Sequence, residues 1–544
     1  MSGLRLPRTC VLVEDELVSF ATAVIEASGA AGRLEATLAR STGRRRSLQV
    51  RAVLVALLAL AMDGRPLHLS EVTRLLYTRL SAKSKAGLQV SGTAGSHKCF
   101  LARYRCVRYL FHKMLEEMDP SLEHKNRVMA VGELKAKRKR LTEAEASKRR
   151  QALESFLGSL LEGSALVLEA EELSGYDGSV GLDATVVPLY SRGPSRRSGT
   201  CASDPDGGWY VREGDHRELE DHKGRKRSKV AWALEATIAT MAREPGKTPQ
   251  HPNLALGLVL ARPGEDPGGA GVRVLASLVA RGYKPGFLGA DRGYTQVTPE
   301  HFHLPVRALG YSLVMDYKEN DLGRQANSGG AVLVDGCFYC PAMPEPLVSA
   351  TGDRRAETID EATFSARLKA RSAYRLVRKS GPDKDGYERF SCPAVGRHPH
   401  VICPLRPTSA AAIGKVPVLL APVPPPKVCT QQAITIAPNI GARHRQELAF
   451  GTERWTRVYA TCRNTIEGWN GFVKDAAHED LAAPSRRRVR GIAAQSIFCA
   501  FLLMAANLRK IRTFRQLIDE QRMAAVAERA RRRRMSIVDY RDSP

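Results

Sequence analysis

Three carboxylates, far apart along the chain, have the types and settings that phosphoryl-transfer chemistry needs. Asp183 sits inside the apolar run VGLDATVV, Asp291 directly follows the apolar run FLGA, and Glu467 lies in RNTIEGWNGFVKD. An acid amid Val, Gly, Leu and Ala on a central strand is unfavourable unless something pairs with it. Carboxylates converging from distant sequence supply hard oxygen ligands and leave coordination open for water and phosphate. That combination suits a pair of Mg2+ ions, with Mn2+ as a substitute. Two such ions activate the attacking oxygen and stabilise the leaving oxygen of an in-line displacement, and they cancel the repulsion between the acids. A plainer alternative exists for Asp291, because Asp-Arg-Gly is turn chemistry. Asp316, Glu319, Asp204, Asp206 and Asp215 are competing acids.

The third acid belongs to a patterned stretch, residues 459–474. At about 100° per residue, Arg463, Glu467, Asn470 and Lys474 fall on one stripe, and Cys462, Ile466, Trp469 and Val473 fall on an apolar stripe beside it. The pattern predicts a helix whose apolar side docks on a sheet and whose polar edge looks into a site. Arg463, one turn from Glu467, could fork onto a phosphate. Lys474, roughly 10 Å further along the axis, suits a neighbouring phosphate, and Asn470 could bond Glu467 or substrate. Trp469, on the apolar stripe, reads as core packing rather than a base-stacking platform. Gly468 and Gly471 oppose the helix by roughly 1 kcal/mol each; close approach of a ligand to the backbone would compensate. Alone, the stretch would read as an ordinary Arg–Glu surface pair.

Cysteines form a second constellation. Cys337 and Cys340 make a CxxC, and Cys392 and Cys403 each precede a proline. Four thiolates could close a structural Zn2+ site in a small, weakly cored region. Free, buried thiols are the ordinary alternative, and His398 and His400 compete as ligands. Cys429, Cys462 and Cys499 read as core residues.

Residues 1–170 are helical by periodicity over 11–28, 49–63, 70–81, 100–117 and 143–161. The second and third of these, split by Gly64-Arg65-Pro66 with Ser70 as a cap, form either a DNA-reading helix-turn-helix or an ordinary helical hairpin. Residues 135–150 are a basic helix or linker. Strands are predicted at 180–190, 230–241, 254–261, 284–289 and 311–317, with helices at 271–281 and 299–309. A long polar loop at 191–229 ends in HKGRKRSK. The order β-β-β-α-β-α-β-α makes the first and fourth strands neighbours. Residues 319–442 are Gly/Pro-rich and short-stranded, a β-rich and poorly packed insertion. A second long helix spans 492–511, and 512–544 is a basic helical tail.

With 544 residues, a formal net charge of +26 and 43% hydrophobic content, the chain is globular and calls for a polyanionic partner. No apolar run reaches the ~18–20 residues of a spanning helix, and the opening stretch lacks a signal peptide's apolar core. Eleven cysteines without regular spacing argue against a secreted disulfide framework. The expectation is a cytoplasmic protein bound to double-stranded DNA and to no membrane.

Together these motifs resemble the DDE transposases of bacterial insertion sequences, in the branch with a β-rich insertion before the last acid. The resemblance covers about 181–511. LDATVV and GADRGY look like the first two acid boxes, and Arg463, Glu467 and Lys474 match the late helix motif. Tyr459 lies one residue further from Arg463 than that motif's tyrosine. The resemblance implies an α/β, RNase H-like mixed sheet: a helical, DNA-binding region 1–170, a catalytic core split into 176–318 and 443–511, the insertion 319–442, and the tail 512–544. It implies catalytic and metal roles for Asp183, Asp291 and Glu467 and phosphate contacts from Arg463, Asn470 and Lys474. It also implies binding of terminal inverted repeats, Mg2+-dependent cleavage and strand transfer, a homodimer in the synaptic complex, and a nucleoid location in a bacterial cytoplasm. A plain nuclease, or a DNA-binding regulator on a transposase scaffold that no longer cuts, are the alternatives.

Overall fold

A computed structural model describes residues 13–39, 46–121, 127–195, 199–212, 229–243, 250–412, 414 and 416–541. Asp215 and the basic stretch 222–228 lie outside the described residues. The first elements are α1 (Asp15–Ala27), α2 (Ala30–Leu38), α3 (Val50–Met62), α4 (Leu69–Arg74), α5 (Ala82–Gly87), α6 (His97–Glu116), α7 (Val131–Arg138), α8 (Glu143–Ala165) and α9 (Ala170–Leu173). Then come β1 (Val180–Pro188), β2 (Gly208–Arg212), β3 (Lys229–Met241), β4 (Ala255–Ala261), α10 (Pro267–Ala280), β5 (Phe287–Ala290), α11 (Arg292–Thr295), α12 (His303–Ala308) and β6 (Ser312–Met315). The insertion holds β7 (Arg324–Ser328), β8 (Ala331–Val334), β9 (Cys337–Tyr339), α13 (Glu345–Val348), α14 (Ala350–Arg355), α15 (Glu361–Arg371), β10 (Val377–Ser380), β11 (Glu388–Ser391), α16 (Lys427–Thr430) and β12 (Ile434–Ile436). Two long helices follow, α17 (Glu453–Val473) and α18 (Ile492–Arg541).

The architecture is mixed α/β. The main sheet runs β2-β3-β1-β5-β6, with β4 also paired to β3. β2 and β4 are antiparallel to β3, whereas β5 is parallel to β1 and β6 to β5. The first and fourth of the expected strands are therefore neighbours. The loop expected at 191–229 contains an additional strand, β2, which short-range pattern does not reveal because Gly208–Arg212 gains its order from pairing with β3.

By internal contacts the chain forms two compact units. One comprises residues 1–176, 184–266 and 467–544, and the other 177–183 and 267–466. In the first unit, α18 is the core. It is long and apolar enough over Ile492–Arg532 to cross a membrane by composition, yet 89% of its apolar window is buried in the protein. α3, α8 and β4 pack on it. Asn507, fully buried, donates to Ser164 Oγ and exchanges two bonds with the Ala255 backbone of β4 (2.8 and 2.9 Å). Asp204 and Asp206, competing acids in the sequence, accept the Gly491 and Ile492 N–H groups and so satisfy orphan donors at the start of α18.

The helix-turn-helix reading of 49–81 does not hold. α3 is apolar all round and buried from Val53 to Ala61, and no residue of 69–80 is exposed, so neither helix has a face for a groove. His68, not Ser70, stands at the N-cap of α4.

In the second unit, the insertion is better packed than its composition suggests, and it carries helices as well as two three-stranded sheets, β7-β8-β9 and β10-β11-β12. Phe338 and Phe390 join the sheets (centroids 5.7 Å apart), and Arg445 lies over both rings while pairing with buried Glu388. Asp335 and Gly336, at φ 45° and 90°, form the tight β8–β9 turn. The Asp335 carboxylate is fully buried and accepts from Arg371 (2.6 Å), Thr351 and the Gly323 N–H. Such a pair holds its surroundings because losing either partner strands the other charge.

His303, at the start of α12, is buried among Arg307, His444 and Arg443, and desolvation first, then these cations, push its imidazole down from 6.5 to about 3. The folded chain therefore excludes a proton that the unfolded chain accepts. Stability should be fully present above pH about 6.5 and fall by about 1.4 kcal/mol per pH unit toward pH 3 from this group alone. Urea melts between pH 7 and 4 should show this acid limb, and His303→Leu should flatten it; an unchanged slope in the variant would refute the assignment.

Candidate active site

Register sets the first two acids. Val180, Gly181 and Leu182 of β1 pair with Leu288, Gly289 and Ala290 of β5, in parallel. The next residues are Asp183 and Asp291, so both acids stand at neighbouring positions on parallel strands. β6 continues the pattern: Ala290 pairs with Met315, and Asp316 follows. Since side chains two apart share a face, Asp183 and Asp291 project from the same face as Gly181 and Gly289.

That face carries α17. A Cβ on Gly289 would lie 2.2 Å from Cys462 Cβ, and one on Gly181 would lie 2.4 Å from the Cys462 carbonyl oxygen and 3.0 Å from Ile466 Cβ. The helix thus rests directly on glycine backbone. Cys462, Ile466, Trp469 and Val473, the apolar stripe of the sequence, are all buried. Trp469 is therefore a core residue. Trp455 joins Val314 of β6 in the same layer and stacks on Tyr459 (4.9 Å, interplanar 11°).

The polar edge of α17 starts at Arg463, whose guanidinium lies 3.6 Å from Asp291. Asp291 also accepts the Arg292 N–H at 2.6 Å and so caps α11, while its side chain is 47% exposed and open to solvent. The turn role expected of Asp-Arg-Gly is thus present. Glu467, one turn beyond Arg463, is exposed; Asn470 is buried; Lys474 follows the last residue of the helix and donates to Thr185 Oγ1 of β1. Gly468 and Gly471 face open space, with no atom near a Cβ placed on either.

Two residues are more closely involved than their sequence context indicated. Asp316, a competing acid in the sequence, ends the strand next to Asp291, and Arg292 Nε holds it at 2.6 Å. The signal was present: LVMD, like FLGA followed by Asp291, is an apolar run closed by an acid. Tyr459, one position off the motif, still lies beside Asp316, Arg463 and Asp291. Burial first, then Asp316 and Asp291, push its hydroxyl up to about 12, so it remains a neutral donor.

Asp183 and Asp291 present hard carboxylate oxygens, the donor type that Mg2+ or Mn2+ takes, at neighbouring positions on parallel strands. Among the described residues, no three His, Cys, Asp or Glu side chains already converge as a metal cage; Asp291 and Asp316 are turned to Arg463, Arg292 and backbone amides. Of the cysteines, Cys340, Cys392 and Cys403 are buried in one cluster. Cys337 shares it but directs its thiol to the Gln446 carbonyl at 3.8 Å. His398 and His400 are exposed. Compared with protein-family models, curated proteins and solved structures, the chain matches none.

The glycine contact gives a direct test. Gly289→Ala should lower stability by about 1–3 kcal/mol through overpacking against Cys462. Adding Cys462→Gly, which removes the opposing Cβ, should recover part of the loss despite the helix penalty. Denaturant midpoints of the single and double variants check this; an unaffected Gly289→Ala chain would contradict the packing.

Proposed function

We propose that the chain is a DDE transposase with an RNase H-like core, binding the terminal inverted repeats of a mobile element and catalysing Mg2+-dependent strand cleavage and strand transfer. The observation that carries this reading is the parallel register of β1 with β5, which sets Asp183 beside Asp291 under a helix whose Arg463 reaches Asp291. Glu467, on the same helical edge one turn further, is the third acid. A divalent cation bound by these acids would supply the charge that activates the attacking oxygen and stabilises the leaving one. Arg463 orients a phosphate next to the acids, and Lys474, now on Thr185, serves a neighbouring phosphate. Asn470, buried on the same helical edge, hydrogen-bonds Glu467 or the substrate phosphate on this reading.

The net charge of +26 supports a nucleic-acid partner. In place of the buried α3–α4 pair, α6 offers a DNA-facing surface. Its inner side buries Phe100, Val107, Leu110 and Met114, and its outer side exposes Lys98, Arg105, Arg108, Tyr109 and His112. Ser96 caps it through the Cys99 N–H. A basic outer face with an exposed aromatic fits phosphate backbone and a groove edge. Two copies synapsing two DNA ends is the assembly this activity requires.

The decisive experiment uses DNA carrying the inverted repeats that flank the reading frame. Asp183→Asn, Asp291→Asn and Glu467→Gln should each reduce Mg2+-dependent nicking by 100-fold or more, roughly 3 kcal/mol of barrier, while leaving DNA binding intact. Wild type should also join the cut end to target DNA; cutting without joining would point to a nuclease, and no nicking to a non-cutting regulator. Arg105→Ala with Arg108→Ala should weaken DNA binding about tenfold or more and reduce its salt slope by about two. Unchanged affinity and slope would remove α6 from the interface.

A further inference from the structure

Two residues beyond β1, Tyr190 stands half exposed, with the Arg488 guanidinium 4.9 Å from its ring centroid. Beside it lies a cavity of about 450 Å3, lined by Tyr190, Ser191, Arg192 and Ser195, by Thr200, and by Arg490 just before α18. All of these residues belong to the first compact unit.

Backbone contacts fix the walls. The Leu189 N–H donates to the Trp232 carbonyl at 2.9 Å, and the Cys201 N–H to that of Met129 at 2.8 Å. A Cβ on Gly193 would lie 2.4 Å from Trp209 and 2.8 Å from Trp232, so the loop backbone rests directly on two indole rings. Arg490 is placed by its neighbour, because the Gly491 N–H donates to buried Asp204 at 3.1 Å.

The lining carries charge of one sign. Among the described residues no Asp or Glu lines the cavity, and nearby Asp204 and Asp206 are turned to the Gly491 and Ile492 amides. Arg192 is exposed and, among the described residues, makes neither an ion pair nor a hydrogen bond. Ser191 is only 7% exposed, yet its Oγ has no hydrogen-bond partner. A buried hydroxyl without a partner calls for an explanation, and in a cationic cavity a ligand atom supplies one.

These features define the ligand. Arginines without acids suit a phosphate, and an exposed tyrosine ring suits the face of a base. Ligand sites run to roughly 300–1,000 Å3, so this one admits a base, sugar and phosphate together, and a bare phosphate is too small to fill it. Bases in a duplex are already stacked and paired, whereas those of a single strand are free to enter a concave wall. Arg488, outside the lining, extends the positive charge past the cavity, which serves a continuing strand and not a lone nucleotide.

We propose that this cavity holds one nucleotide of single-stranded DNA, with its base on Tyr190, its phosphate on Arg192 and Arg490, and Ser191 Oγ bonding the base or sugar. The proposal rests on the reading that the chain binds DNA, and not on its cutting DNA.

The test uses the full chain with chelator present, so that no strand is cut. Fluorescence anisotropy follows a labelled oligothymidylate and, separately, a labelled duplex. Tyr190→Ala should weaken single-strand binding at least fivefold, whereas Tyr190→Phe should keep it. Arg192→Ala should weaken it too and reduce its salt slope by about 0.7, and both Ala variants should bind the duplex as the wild type does. Photo-crosslinking of a bromodeoxyuridine strand to the wild type, mapped by mass spectrometry, is a second measurement that needs no variant; the crosslink should fall on Tyr190. Single-strand affinity unchanged in both Ala variants, crosslinks confined to other segments, thymidine monophosphate binding as tightly as the strand, or an RNA strand binding more tightly than DNA would each overturn the proposal. A chain that binds duplex and ignores single strands would lose this site and keep the DNA-binding reading; one that binds neither would lose both.

Discussion

Everything at the candidate site depends on how closely α17 approaches the sheet. Helices normally stand off a sheet by the depth of two side chains. Here Gly181 and Gly289 remove one of those layers, and the Cys462 backbone and Cβ occupy the space a Cβ would fill. The consequence is positional. An arginine on the helix edge reaches an acid at a strand end only because the two backbones are nearly in contact, and any residue larger than glycine at 289 would push that edge away. The two glycines are thus as much a part of the site as the acids two positions further along the same strands.

The sequence made this arrangement legible in part. An apolar run holding an acid identified β1, an apolar run closed by an acid identified β5, and the element order implied that the two are neighbours. Helical phasing correctly separated the buried stripe of Cys462, Ile466, Trp469 and Val473 from the polar edge. What was not legible depends on partners distant in sequence. β2 becomes a strand by pairing with β3. α3 and α4 have the spacing of a DNA-reading hairpin, but α3 is sealed by α1, α4, α6 and α18, a fact no local window contains. Asp204 and Asp206 looked like loop acids and turn out to satisfy the first amides of a helix nearly three hundred residues later.

The insertion shows the same limit from another side. Gly/Pro-rich texture and short strands suggested weak packing. Its order comes from a few concentrated interactions: the Phe338–Phe390 contact with Arg445 over both rings, the buried Asp335–Arg371 pair, and the clustered thiols. Composition averages over such features. The Cys-Pro turns at Cys340, Cys392 and Cys403, each closed by the amide three residues on, are another local source of that order.

Asp183 within β1, Asp291 directly after β5 and Asp316 directly after β6 stand side by side on three adjacent parallel strands, a crowding of like charge. Arginines intervene: Arg292 sits on Asp316 and Arg463 on Asp291. The two pairs differ in kind. Arg292 contacts Asp316 at 2.6 Å, and Asp316 has little exposed side chain, so that acid is committed to its partner and is a poor candidate for a ligand. Arg463 lies at the looser distance of 3.6 Å from an acid that is nearly half exposed. The Asp291 contact is therefore the one that a cation and a phosphate can most readily rearrange. On the proposed reading, loosening it would release a guanidinium one helical turn from Glu467, where a phosphate-orienting group is required.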